Sequence, residues 1–298
     1  MASEARAPAV LATRDRGRRR GRRRGASAAL HLTLLVATAI ALFPMLWILL
    51  SSFKPNEVIK TQTDLEVVPE PWTLENYRTV LAQNDYEFLH WLLNSVVVAL
   101  LTTVVGVFLS ATAAYAFSRY RFPGYRAALM SFLVAQMFPG VILLVPIYKI
   151  VVDLGLLNSK AALVLAYSTI AVPFCVWMLK GYFDTIPISL EEAGKIDGLT
   201  PFGTFWRIVL PLSLPGIAVT SFYMFITAWN EVLFANVFLT ENKTYTLPIG
   251  LRTYIFQFEQ QYGWLTAGAV IVTIPAVIMF LLAQRYLVSG LTRGGVKG

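Results

Sequence analysis

Six stretches of this chain run for at least 19 residues without an Asp, Glu, Lys or Arg: 25–53, 88–118, 127–148, 161–179, 208–230 and 260–284. No other feature narrows the fold so far. A helix needs about 20 apolar residues to cross a hydrocarbon core of about 30 Å. Backbone groups in lipid must be satisfied within a helix or a closed barrel. None of the six windows alternates in strand fashion and all are too long for barrel strands, so the pattern predicts an all-α membrane protein with six spans. The chain is 56% hydrophobic and 14% charged, outside the range of soluble domains and in line with that reading.

The net charge of +8 is local. Residues 1–25 hold nine Arg against Glu4 and Asp15, and the remainder is nearly balanced. The run from Arg14 to Arg24 could serve as a nucleic-acid arm, as part of a cleaved secretory signal, or as a cytoplasmic anchor before the first span. The apolar stretch continues through Phe43 and Trp47, too long for a typical signal core, and no nucleic-acid partner is expected. Residues 1–28 are thus expected to be a disordered cytoplasmic tail, and 29–298 one transmembrane domain.

Loop charges set the orientation. The 118–126 loop carries Arg119, Arg121 and Arg126 without an acid, and the C-terminus carries Arg285, Arg293 and Lys297. The 54–90 loop is acidic, with Glu57, Asp64, Glu66, Glu70, Glu75, Asp85 and Glu87. Basic loops stay inside, so both termini and the 180–206 loop are expected in the cytoplasm. Cys175 is the single cysteine and permits no intrachain disulfide. His31 and His90 have no partners at metal-ligand spacing.

The polar break at 184–211 has internal order. Pro187 should end the preceding helix, and Ser189 with Glu192 three residues on has capping-box spacing. A short helix over about 190–197 is predicted, closed by Gly198 in the left-handed region. Thr200 then caps a second helix with Pro201 in its first turn. Pro211 and Pro215 mark the entry to the fifth span. On these grounds alone the loop is either an ordinary interfacial connector, with Glu192 capping its own helix, or a lever whose small residues Ala193 and Gly194 admit a partner.

The run Glu192-Ala193-Gly194, three residues, Gly198, nine residues, Ile208-Val209-Leu210-Pro211 decides between them by resemblance. It is similar to the Glu-Ala-Ala loop of permease subunits of ATP-binding-cassette importers, with Gly194 in place of the second Ala. Further segments resemble the carbohydrate importers of maltose-transporter type. They are Ser51-Ser52-Phe53-Lys54-Pro55, Trp72-Thr73-Leu74-Glu75-Asn76-Tyr77, Leu93-Asn94-Ser95, Ala114 to Arg119 with Arg121-Phe122-Pro123-Gly124, Gly155-Leu156-Leu157-Asn158, Trp229-Asn230-Glu231 and Gly290 to Gly298. The resemblance covers about 30–298. It implies a second permease subunit, two ATPase subunits, an extracellular or periplasmic sugar-binding protein and a lipid setting. It also implies ATPase coupling through Glu192, Ala193, Gly194, Gly198, Ile208, Leu210 and Pro211. The chain has no Gly-x-x-x-x-Gly-Lys-Ser/Thr phosphate loop, so no cofactor is expected on it, and ATP and Mg belong to the ATPase.

Candidate pathway residues are Trp229, Asn230 and Glu231, an aromatic and polar trio suited to sugars, and the mid-span Gln136 beside Phe138-Pro139-Gly140. The competing roles are a cap of local packing for Glu231 and a hydrogen bond to a neighbouring helix for Gln136. The resemblance adds that Thr246-Leu247-Pro248-Ile249-Gly250 reach into the docked binding protein. Alternatives are an importer of a non-sugar solute and an ion-coupled secondary transporter. The latter often carries inverted repeats and buried charges, and neither is evident here. Nor is there an His-Glu-x-x-His set for an intramembrane enzyme.

Overall fold

The computed structural model describes the backbone of residues 11–61, 66–82, 86–256 and 261–294, with side chains left undescribed at 11–26, 28, 255–256 and 288–294. Among these residues there is no strand. Helix α1 spans Leu11–Ser51, α2 Asn56–Thr61, α3 Glu75–Ala82, α4 Glu87–Arg119, α5 Tyr125–Met137, α6 Gly140–Asp153 and α7 Lys160–Phe183. Then follow α8 Ile188–Ile196, α9 Pro201–Thr204, α10 Leu210–Leu212, α11 Leu214–Trp229, α12 Leu233–Phe238, α13 Leu247–Phe256 and α14 Tyr262–Gly294.

Among the described residues four helices are long and apolar enough to span a membrane unbroken: Ala29–Ser51 within α1, α4, α7, and Tyr262–Leu287 within α14. Two bent pairs bring the number to six if each is one span. The predicted windows 127–148 and 208–230 are therefore not single helices. The pair α5 and α6 is bent by 107° at Phe138 and Pro139. Phe138 is extended (ψ 125°), as a residue before proline prefers, and Pro139 caps α6. The second pair is bent by 82° at Ser213, so only Leu214–Trp229 rises into the bundle. Its 16 residues extend about 24 Å. Pro44, Pro146, Pro173 and Pro275 all stand inside helices that continue past them.

Residues 1–10 lie outside the described residues, and from Leu11 the backbone is helical and continuous with the first span. Arg, Ala and Leu favour a helix there, against the repulsion of like charges one turn apart at Arg16 and Arg20, Arg18 and Arg22, Arg19 and Arg23, and Arg20 and Arg24.

The core is built on α4, α7 and α11, with α14 against α11 and α1 outermost on α14. Lipid is as apolar as Leu, so close packing and polar ties must hold spans together. Along α4 the buried Ala99, Thr103, Gly106, Ser110 and Ala114 recur every three or four residues, a small-residue seam. On α7 the buried Ala162, Ala166, Ala171 and Cys175 are equally small. By contrast Leu32, Leu35 and Ile40 of α1 are exposed, open to whatever surrounds the bundle.

Helices α4 and α7 are parallel. At their shared C-terminal end Ser118 Oγ donates to Asp184 Oδ1 at 2.6 Å. At the opposite end Asn94 Nδ2 donates to the carbonyls of Lys243 and Tyr245, both at 2.9 Å. Asn158, at φ +56°, accepts from the Thr240 backbone N–H at 2.6 Å. The 54–90 loop is tied by Asn76 Nδ2, which donates to the carbonyls of Ser52 (2.9 Å) and Lys54 (2.7 Å).

Candidate functional site: the loop between the fourth and fifth spans

The loop folds as a helix, a turn and a second helix. Its first helix starts at Ile188, earlier than predicted, with Pro187 at the cap. Ser189 lies within it, so the predicted capping box does not form. Pro187 takes the cap position itself, at φ −59° and ψ 131°, with no side-chain hydrogen bond to the first turn. The end of α8 agrees with the prediction. Gly198 has φ +87°, its N–H donates to Lys195 O (3.0 Å), and Leu199 N–H donates to Gly194 O (2.9 Å). That is a Schellman closure. Thr200 Oγ1 then accepts from Gly203 N–H at 3.1 Å, capping α9 above Pro201.

The second helix widens between Phe205 and Val209 into a π turn, where Leu210 N–H donates to Phe205 O. Pro211 has no N–H, and its ring crowds the carbonyl four residues back. Wide turns of this kind are frequent at functional sites. Here the turn contains Ile208. A Cβ added at Gly194 would lie 2.5 Å from Ile208 Cδ1 and 3.2 Å from Leu199 Cδ1. The two ends of the motif are thus packed together, and an Ala at 194 needs the tip of Ile208 to move.

Helix α8 has two faces. Glu191 and Gly194 are buried; Glu192, Ala193, Lys195 and Ile196 are exposed, Ile196 at 87%. Phe202, Trp206 and Pro211 are exposed on the second helix, and Leu210 is half-buried. The result is an apolar surface with a carboxylate on it, at the end of the bundle that bears Arg119 and Arg121.

Sequence reasoning missed Glu191, which is 3% exposed. Tyr115 Oη donates to its Oε2 at 2.9 Å and Arg119 Nε donates to its Oε1. The usable signal was its three-residue spacing from Gly194, which puts both on one helix face. Nearby, Lys180 Nζ donates to Asp184 Oδ2 at 2.6 Å. Partial burial of Asp184 raises its pKa, but hydrogen bonds from Lys180 and Ser118 and the charges of Lys180 and Arg119 outweigh that, and the net shift is downward.

The pathway candidates lie elsewhere and do not converge with the loop. Trp229 is buried and stacked on Phe225, centroids 5.4 Å apart and 13° between planes, so its face is not open to a ligand. Asn230 is exposed. Glu231 caps α12, accepting from Phe234 N–H (2.9 Å) and Ala235 N–H (3.3 Å). Gln136 Nε2 donates to Ile170 O at 2.9 Å and lines a cleft of about 360 Å³ with Phe138, Leu143 and Thr169. The segment 246–250 is packed into the protein. Thr246, Leu247, Ile249 and Gly250 are buried and Pro248 is half-buried, in and just before the first turn of α13. Trp91 occupies the space a side chain at Gly250 would need, 2.1 Å from its Cβ position.

The comparisons with known proteins agree with this layout. Residues 103–293 match the family model of the binding-protein-dependent transport system inner membrane component. The chain is 40% identical over 260 residues to the inner membrane ABC transporter permease protein YcjP of Escherichia coli, covering 87% of this chain and 92% of that protein. It is 38% identical over 260 residues to the trehalose transport system permease protein SugB of Mycobacterium tuberculosis, covering 87% and 93%. Its fold is similar to a chain in the crystal structure of a bacterial ABC transporter involved in import of the acidic polysaccharide alginate. There the TM-score is 0.78 at 22% identity, over 88% of this chain and 96% of that one. The motif, the bundle and these matches together place the chain in the family of binding-protein-dependent transport system inner membrane components.

Proposed function

We propose that this chain is one of two permease subunits of an ATP-driven importer, forming with its partner the membrane pathway for a sugar or oligosaccharide. An external solute-binding protein delivers the substrate. Two ATPase subunits dock on α8 and supply the energy, and this chain itself performs no catalysis. The termini and α8 face the cytoplasm. The sugar class is drawn from the names of similar proteins, a trehalose permease and an alginate importer.

The observation that carries the reading is the two-faced α8. Glu191 and Gly194 fix it to its own subunit, while Glu192, Ala193 and Ile196 stand free for a partner. Burying so exposed an isoleucine is worth on the order of 1.5–3 kcal/mol, and Glu192 beside it can pair with a base. Closure of the ATPase dimer then becomes rigid-body movement of the permease and alternating access. The test is Glu192→Ala in vesicles holding the full assembly. Weakened co-purification of the ATPase and loss of sugar uptake are expected. Unchanged co-purification and unchanged sugar-stimulated ATPase activity would refute docking through α8.

A further inference from the structure

The covalent connections of α8 are poor transmitters of force. It is joined to α7 by the turn at 184–187 and to α9 by the turn at 197–200, and the helix beyond is widened and then bent by 82°. A stiffer route runs through side chains to a helix far away in sequence. Arg119 is the last residue of α4, and Tyr115 lies one turn earlier on the same face. Between them they hold both oxygens of Glu191. Arg119 Nη2 also donates to the carbonyl of Ile186 at 3.1 Å, so one guanidinium grips the chain just before α8 and again inside it. Arg119 Nη1 donates to Ser118 Oγ at 2.8 Å, which donates in turn to Asp184 at the end of α7. The Tyr115 ring packs on Phe205, centroids 4.9 Å apart, where the π turn begins.

The side chains of Arg119 and Glu191 are 8% and 4% exposed. An exposed pair slips at little cost. A buried pair with its remaining hydrogen bonds satisfied has one geometry, because any displacement strands a charge out of water.

We infer that Arg119 and Tyr115 are positioning residues that lock α8 to α4 through Glu191, so that α8 and α4 move as one body when the ATPase closes. This rests on the reading of α8 as the docking helix, but it concerns the opposite face of that helix. The deciding quantity is sugar imported per ATP hydrolysed, measured in vesicles with the complete assembly and normalised to assembled complex. In Glu191→Gln the ATPase is expected to remain bound while that ratio falls at least threefold. Tyr115→Phe, which keeps the ring packing and removes one hydrogen bond, is expected between wild type and Glu191→Gln. Lys149→Gln, in an exposed pair at the opposite end, should leave the ratio unchanged. A smaller fall in Glu191→Gln, or its failure to assemble, overturns the proposal, since the pair would then serve folding alone. Failure of the docking reading shows separately, as an unaffected Glu192→Ala.

Discussion

A double-mutant cycle on Arg119 and Glu191 tests whether burial sets the strength of the loop's attachment. Arg119, whose side chain is 8% exposed in the intact pair, loses its directly bonded carboxylate when Glu191 alone is removed as Glu191→Ala. Breaking a buried pair in this way costs about 3–5 kcal/mol. The same applies to Arg119→Ala, which also strips a donor from Ile186 O. The double variant strands no charge and should cost less than the sum of the singles by about 2 kcal/mol. Each single variant should therefore melt well below wild type, and the double variant by less than the two single shifts added together. The assay is intrinsic fluorescence of the full assembly in lipid nanodiscs, compared at one scan rate because such unfolding is governed by rates. The internal control is the pair Lys149 and Asp153, whose side chains are 77% and 62% exposed. Its cycle should give less than about 0.5 kcal/mol. Coupling at 119 and 191 as small as that of the control would refute the argument from burial.

Gly198→Ala puts a Cβ into the left-handed region at φ +87° and should cost about 1–2 kcal/mol, seen as faster amide exchange at the Gly198 and Leu199 N–H groups that close α8. Asp184 has a lowered pKa in the fold, so its stabilising contribution is complete above the unfolded value near 3.8 and is lost as pH falls through the folded value. Asp184→Asn should therefore melt below wild type at neutral pH, and the gap should close as the pH is taken below about 4; a gap that is constant with pH would show that charge is not what the group contributes.

The spans were legible because absence of charge over 19 residues has few structural solutions. The breaks were legible in place and not in angle. Pro139 marks a weak point, but the 107° between α5 and α6 depends on what each half packs against. At the loop, Pro187, expected to end the helix before it, stands at the cap of α8, and Ser189 falls inside that helix. Glu191 escaped notice because the recognised pattern begins one residue later. A buried carboxylate also declares itself only through its partner, which lies 72 residues away in sequence. Trp229 is a related case. Its neighbours Asn230 and Glu231 suggest a sugar site, while Phe225, four residues earlier and on the same helix face, is what it stacks on.

The segments that carried the family resemblance turn out to be the joints of the molecule. Asn76 ties the second such segment to the first, through Ser52 and Lys54. Asn94 and Asn158 hold the 239–247 stretch from two sides. Arg119 holds α8. This division follows from the solvent. Apolar helices in lipid gain little by exchanging lipid contacts for each other, so many apolar sequences satisfy a span equally well. What fixes one arrangement is the set of polar ties at the helix ends, where each donor has a specific acceptor and an unpaired group is costly. A sequence pattern that names the family therefore collects at the ends of spans. The same logic makes those ends the places where a movement imposed on α8 can be passed to the bundle.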